Sequence, residues 1–296
     1  MAGTLSKGTL FSPELVADLI NKVKGKSSLA VLCTQTPIPF NGRKEFTFSM
    51  DNEIDIVAEN GKKSHGGISL EPVTIVPIKF EYGARVSDEF MYASEEEQID
   101  ILKSFNEGFA RKVAKGFDIA AFHGVNPRTK EKSTVIGDNN FDDKVTGVVD
   151  FDKTTADDNV EAAIALVQDV ENAVTGMAMA PAFRSALAAL KNDLGGKLYP
   201  DLAWGNAPGT INGLPVSSNS TVSFNGNLDR AIVGDFESGF KWGYAKEIAM
   251  EIIQYGDPDN SGMDLKGYNQ VYIRAEVFLG WGIMDPEAFA RIVAAE

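Results

Sequence analysis

The chain has 296 residues, of which 44% are hydrophobic and 24% charged, an ordinary balance for a folded protein with one large domain or two smaller ones. Acidic residues outnumber basic ones 42 to 28, and the net charge of −14 argues against a protein that reads nucleic acid through its phosphates. A single cysteine, Cys33, excludes an intramolecular disulfide. No apolar run approaches the roughly 18 residues of a membrane span, and Met1–Leu10 lacks the pattern of a secretory signal.

Ser12-Pro13-Glu14 reads as the opening of a short helix: an N-cap, a proline at the first helical position and an acid near the positive end of the dipole. Leu15, Leu19, Ile20 and Val23 give it an apolar side, and the ten residues before it read as a loose arm. Cys33 ends an apolar stretch from Ser28 and reads as a small buried hydrophobe.

From Glu45 to Val86 the pattern is extended. Phe46, Phe48, Ile54 and Ile56 lead into Glu59–Gly67, a polar, glycine-rich tip, and Ile68, Leu70, Val73, Ile75, Ile78, Phe80 and Tyr82 follow it. This predicts a long two-stranded hairpin, with Pro72 and Pro77 at edge or irregular positions. Such a hairpin is poorly stable alone and needs something to lie on, a neighbouring subunit being one candidate.

Ser94-Glu95-Glu96-Glu97 is a capping box. Behind it Ile99, Leu102, Phe105, Phe109, Val113, Phe117 and Ala120 recur at three- and four-residue steps. That is one apolar stripe on a helix of about 28 residues, roughly 42 Å long. Thr129–Asp158 is polar and turn-rich. Helices are then expected over Asn159–Val174 and Pro181–Leu190. Short strands are expected at Met177–Ala180, Gly213–Val216 and Arg230–Phe236, with a loop over Tyr199–Thr210. The mixture predicts a compact α+β domain. A second hairpin pairs Lys246–Tyr255 with Asn269–Leu279, where Val271, Ile273, Ala275, Val277 and Leu279 alternate with Tyr272, Arg274, Glu276 and Phe278.

Chemistry-bearing patterns are few. Asp257-x-Asp259-x-Ser261-Gly262 matches the first half of a calcium-binding EF-hand loop, but its twelfth position is Tyr268 where a bidentate glutamate is needed, so it reads as a solvated hairpin turn. His65 and His123 fall in different elements, with no Cys or His at ligand spacing. No Gly-x-Ser-x-Gly elbow or phosphate loop occurs. The expectation is no catalytic, cofactor-binding or metal site.

An ordered series of phrases resembles tailed-phage major capsid proteins, the Hong Kong 97-like family. They are Ser12-Pro13-Glu14-Leu15, Val86-Ser87-Asp88-Glu89, Phe117-Asp118-Ile119-Ala120-Ala121-Phe122-His123-Gly124, Gly213-Leu214-Pro215-Val216, Gly234-Asp235-Phe236 and Arg274-Ala275-Glu276, leading into Asp285-Pro286-Glu287-Ala288-Phe289. The resemblance implies the α+β Hong Kong 97-like fold: an N-terminal arm over residues 1–39 and an extended loop over 40–86. A peripheral domain with a long spine helix would take 87–122 and 241–280, and an axial domain 123–240 and 281–296.

It also implies a structural protein that self-assembles as pentamers and hexamers into an icosahedral head shell in the virion, enclosing double-stranded DNA without reading its sequence. No long charged scaffolding segment precedes the arm, so a separate scaffolding protein is expected, together with a portal, and no membrane. Lys62, Lys63, His65, Asp257 and Asn260 are the candidate inter-subunit contacts. In some relatives a lysine of the loop and an asparagine of a neighbour's peripheral domain are covalently joined. Lys62, Lys63 and Asn260 are the nearest counterparts, although no residue identifies itself as the required acid. Two other readings are the shell of an enzyme-packaging nanocompartment and an acidic soluble enzyme.

Overall fold

The computed structural model describes residues 23, 26–50, 52–92 and 95–295. The helix expected from Ser12 and the capping residue Ser94 lie outside them, as does the side chain of Ile99.

The first element whose bounds are described is a short helix α1 (Ser28–Leu32), followed by β1 (Arg43–Met50), β2 (Ile68–Ile75) and β3 (Ile78–Ser87). β1 and β2 form an antiparallel ladder from Arg43 opposite Ile75 to Met50 opposite Ile68. The extended pattern predicts one hairpin to Val86, but the ladder ends at Ile75. Pro77 has no N–H to donate and restricts the residue before it, so the strand breaks there. Beyond it, β3 turns away and pairs with the C-terminal half of the chain.

The predicted long helix is present as α2 (Glu95–His123, 29 residues). Its stripe is buried at Leu102, Phe109, Val113, Phe117 and Ala120, and every residue from Phe117 to His123 is buried, because the helix end runs into the body of the protein. The stripe packs on an antiparallel sheet of order β3-β10-β9, formed with β9 (Phe240–Ile253) and β10 (Gln270–Ile283). Val271, Ile273, Ala275, Val277 and Leu279 all point into this core, as the alternation predicts. Phe117 is its hub, with ring centroids 5.1 Å from Trp242, 5.7 Å from Trp281 and 6.5 Å from Phe240. The buried indoles keep partners: Trp242 Nε1 donates to the Cys33 carbonyl at 3.3 Å and Trp281 Nε1 to the Asn139 carbonyl at 2.9 Å.

The second body is built from α3 (Phe141–Lys144), β4 (Gly147–Asp150), α4 (Ala156–Gln168), β5 (Gly176–Met179), α5 (Pro181–Ala189), β6 (Thr210–Ile211), β7 (Leu214–Ser218), β8 (Asp229–Gly234) and β11 (Phe289–Val293). Its six-stranded sheet has the order β4-β11-β8-β5-β7-β6. Ala178, Ile232 and Phe289 face the spine-helix core, while Met177, Met179, Ala231, Val233, Ala290 and Ile292 face the core under α4 and α5. A period of two thus serves both faces. β4 lies inside the stretch read as turns, since four residues carry too little period to register.

The segment after α1 is held by close approach. Thr36 N–H donates to the Trp242 carbonyl at 2.8 Å, and a Cβ on Gly243 would overlap the Thr36 carbonyl. At the hairpin root, Ile75 is buried where Gly280 leaves room, a Cβ there falling 3.1 Å from its Cγ2.

Phe117→Ala removes the hub and should cost about 3–5 kcal/mol through lost transfer energy and a residual cavity. The exposed Val135→Ala should change stability by less than about 0.5 kcal/mol. Urea unfolding of the dissociated subunit checks both; equal midpoints would contradict the packing described.

Candidate assembly surface and the charge clusters behind it

Asp118 sits one residue beyond the hub and is fully buried. It accepts hydrogen bonds from Ser27 Oγ, from the Ser28 and Leu29 amides at 2.8 and 3.3 Å, from Thr221 Oγ1 at 2.9 Å and from Asn219 Nδ2 at 3.3 Å. Burial pushes its carboxyl up to about 6, and the donors oppose that rise. One side chain therefore ties the start of α1, the spine helix and the turn after β7. Cys33 is buried near this charge, and burial pushes its thiol up, as suits a packed rather than a reactive cysteine.

The helix ends in a second cluster that sequence spacing does not reveal. His123 Nε2 lies 2.9 Å from the Thr221 carbonyl, an acceptor only, so that nitrogen carries a proton. Its Nδ1 lies 2.9 Å from Asp142 Oδ2 on α3. With both nitrogens facing acceptors, the arrangement suits the imidazolium. Arg291 of β11 bridges Asp142 at 2.6 Å and Asp229 of β8 at 3.5 Å. Burial tends to lower the His123 value, but the Asp142 hydrogen bond and charge outweigh it and hold it raised. Burial and then the neighbouring Asp142 carboxylate push Asp229 up to about 7. Asp142 is held below its usual range by His123 and Arg291 in spite of burial. The ligand atoms of His123, Asp142 and Asp229 all lie within 4.8 Å of one another. Arg291 already supplies their positive charge, so the group reads as an internal ion network joining four elements.

Of the five residues singled out from sequence, Lys62, Lys63 and His65 are exposed in the connection between β1 and β2. Asn260 is exposed at the turn between β9 and β10, with φ 52°. Asp257 differs: its carboxylate is engaged within the chain, 2.8 Å from Arg85 Nη2 at the end of β3. Sequence spacing gives no signal for that arginine, 172 residues away.

Among the described residues, exposed apolar side chains cluster on the hairpin. Phe46, Met50, Ile68 and Leu70 are 61, 70, 67 and 55% exposed, and Ile54 and Ile56 in the connection are 93 and 97% exposed. Clustered exposure on this scale marks an interaction surface.

The sequence profile of the phage capsid family matches residues 7–294, and the chain belongs to that family. Among solved structures it is similar to a chain from Mycobacterium phage Ogopogo, with TM-score 0.78 and 29% identity over 91% of this chain and 92% of that one. A chain from Gordonia phage Cozz gives 0.74 and 24% over 93% and 86%. The capsid of an empty GTA particle computed with C5 symmetry gives 0.66 and 17% over 92% and 90%. No curated protein matches the chain. The fold is the Hong Kong 97-like one, and the protein is a major capsid protein, a structural subunit of the phage head shell in the virion. Among the described residues, no helix is long and apolar enough to cross a membrane.

The ion network makes subunit stability pH-dependent, and the sign follows from the shifts. His123 and Asp229 bind protons more tightly folded than unfolded, so stability falls as pH rises from 3.8 toward about 7 for Asp229 and above 6.5 for His123. Asp142 acts oppositely, but only below its ordinary 3.8. The dissociated subunit should melt higher near about pH 6 than near about pH 8, and His123→Asn should flatten that slope. A wild-type profile already flat across this range would contradict the cluster's assigned charges.

Proposed function

We propose that the chain assembles as pentamers and hexamers into the icosahedral head shell of a tailed phage, around double-stranded DNA that it encloses without reading, and that it performs no catalysis. The observation that carries this reading is the β1–β2 hairpin: anchored at Ile75, it presents Phe46, Met50, Ile68 and Leu70 outward with no cover from the described residues of its own chain. A neighbouring copy is the occupant, and repeated modest contacts combine through multivalency.

In this assignment residues 1–39 are the arm and 40–77 the extended loop. Strand β3 belongs with α2, β9 and most of β10 in the peripheral domain, since it pairs with β10 from Ser87 to Ile78. The axial domain takes 123–240 and the final residues. Lys62, Lys63, His65 and Asn260 are exposed where inter-subunit contacts are proposed. A separate scaffolding protein and a portal complete the assembly in the bacterial host cytoplasm. A net charge of −14 keeps the wall from adhering to packed DNA.

Electron microscopy of the purified protein should show closed particles or five- and six-membered capsomers; monomers at high concentration would overturn the reading. Met50→Asp combined with Leu70→Asp, or deletion of residues 60–67, should abolish particles while leaving the melting temperature of the subunit unchanged. Both changes lie on surface the folded subunit leaves in water. Normal particles from either would refute the role given to the hairpin.

A further inference from the structure

A second uncovered apolar surface lies in residues 190–209, the connection between α5 and β6. Connections this long inside a compact body are uncommon and usually serve a function. Trp204 and Leu194 stand almost wholly in water, and Leu198 is exposed beside them in sequence. Trp204 also sits in the left-handed region, with φ 59° and ψ 28°, where a bulky side chain is strained. The chain therefore holds a strained backbone and leaves an indole in solvent, the reverse of what the stability of the subunit favours. Strain of this kind collects at functional sites.

The charge around the indole is unmet as well. Arg184, Lys197 and Trp204 line one open hollow. Lys191 and Lys197 face each other across a short antiparallel bridge, where like charges repel. Lys197 Nζ donates to the Ala188 carbonyl at 3.1 Å. Among the described residues none of these three cations forms an ion pair, although Asp193 and Asp201 lie in the same loop. The other flank of the loop is acidic: the Tyr199 hydroxyl is held above its usual range by burial and then by the charges of Asp157, Glu161 and Asp158 in the first half of α4. In a chain of net charge −14 the basic flank is the exception, and the acidic surface that complements it is carried by the chain itself. Two such flanks fit the next copy head to tail, and head-to-tail contacts close into rings.

We propose that residues 190–209 form a ring-closing contact, in which Trp204, Arg184 and Lys197 of one copy meet Asp157, Asp158 and Glu161 of the next. The contact rests on the reading of the chain as a subunit of five- and six-membered rings. Native mass spectrometry of wild type tests that reading first: if no rings form, the reading and the contact fall together. Trp204→Asn then tests the contact alone, since asparagine tolerates the left-handed backbone. The melting temperature of the dissociated subunit should stay the same or rise, while the concentration at which half the subunits are in rings should rise at least about tenfold.

Charge reversal gives the second measurement. Arg184→Glu with Lys197→Glu makes both flanks acidic, and Asp158→Lys with Glu161→Lys makes both basic, so neither variant should form rings by itself. Mixed in equal amounts they should form six-membered rings and no five-membered ones, because alternating copies fit only an even ring. Normal rings from Trp204→Asn, two-membered species from the mixture, or a mixture that stays unassembled although both variants melt as wild type does, would overturn the proposal. If a reversed chain does not fold, the tryptophan variant decides alone. Variants that keep their rings but lose bound DNA fragments would assign the loop to the enclosed nucleic acid and overturn the contact.

Discussion

The fold depends on how one buried carboxylate is satisfied. Taking a charge from water into a protein interior costs several kcal/mol unless it is fully hydrogen-bonded. Asp118 meets that condition with five donors drawn from Ser27, Ser28, Leu29, Asn219 and Thr221, which lie 91, 90, 89, 101 and 103 residues away in sequence. The donors cannot be supplied locally, so ionising Asp118 requires the start of α1 and the turn after β7 to be in place together. Its neighbour Phe117 points about 100° away around the helix and enters the aromatic hub with Trp242 and Trp281. Two consecutive residues thus lock the spine helix to both bodies, one by a directional polar demand and one by dense apolar packing. A carboxamide at Asp118 would keep the volume but turn an acceptor oxygen into a donor facing donors.

What the sequence made legible was what is periodic over many residues. The spine helix shows its stripe over about six turns and β10 its alternation over nine residues, Val271 to Leu279, and both elements are where the pattern puts them. The strand ends are less legible. The expected strand stops at Leu279, yet β10 continues through Gly280-Trp281-Gly282 to Ile283, where the glycines give Ile75 room to pack. β11 occupies a central position in its sheet between β4 and β8, which no local pattern announces. The charge clusters were illegible for a simpler reason: Asp142 meets Arg291 across 149 residues, and Asp257 meets Arg85 across 172. The Asp257 loop left a motif that reads as a solvated turn, and it gives no hint that its carboxylates engage Arg85.

The hairpin obeys a different economy from the bodies. A two-stranded ladder leaves both outer edges open and buries little of either face, so it is marginal in water by itself. Here the root is fixed by Ile75 under Gly280, while the apolar residues farther out remain in solvent. Stability of the subunit and energy for assembly are therefore stored in separate places. The cores around Phe117 and under α4 and α5 hold the monomer. The exposed Phe46, Met50, Ile68 and Leu70 hold their transfer free energy in reserve until a second surface covers them. At about 25 cal/mol per Å² of apolar area, each such side chain contributes on the order of 1–2 kcal/mol when covered.

Charge then sets the conditions under which that reserve is used. A subunit of net charge −14 repels its own copies, and the repulsion grows with every neighbour added. At physiological salt the Debye length is about 8 Å, so repulsion between distant faces is screened while contacts at the seam still feel it. Adhesion must come from elements that reach past the charged faces and bury apolar surface on a neighbour, the role proposed for the extended hairpin. The interior clusters follow the opposite rule. His123 and Arg291 offset Asp142 and Asp229, so the charges inside cancel and the excess of acid is left to the surface. Separating the two lets the fold tolerate a strongly acidic exterior while the interior charges are met by ion pairs at His123 and Arg291 and by hydrogen-bond donors at Asp118.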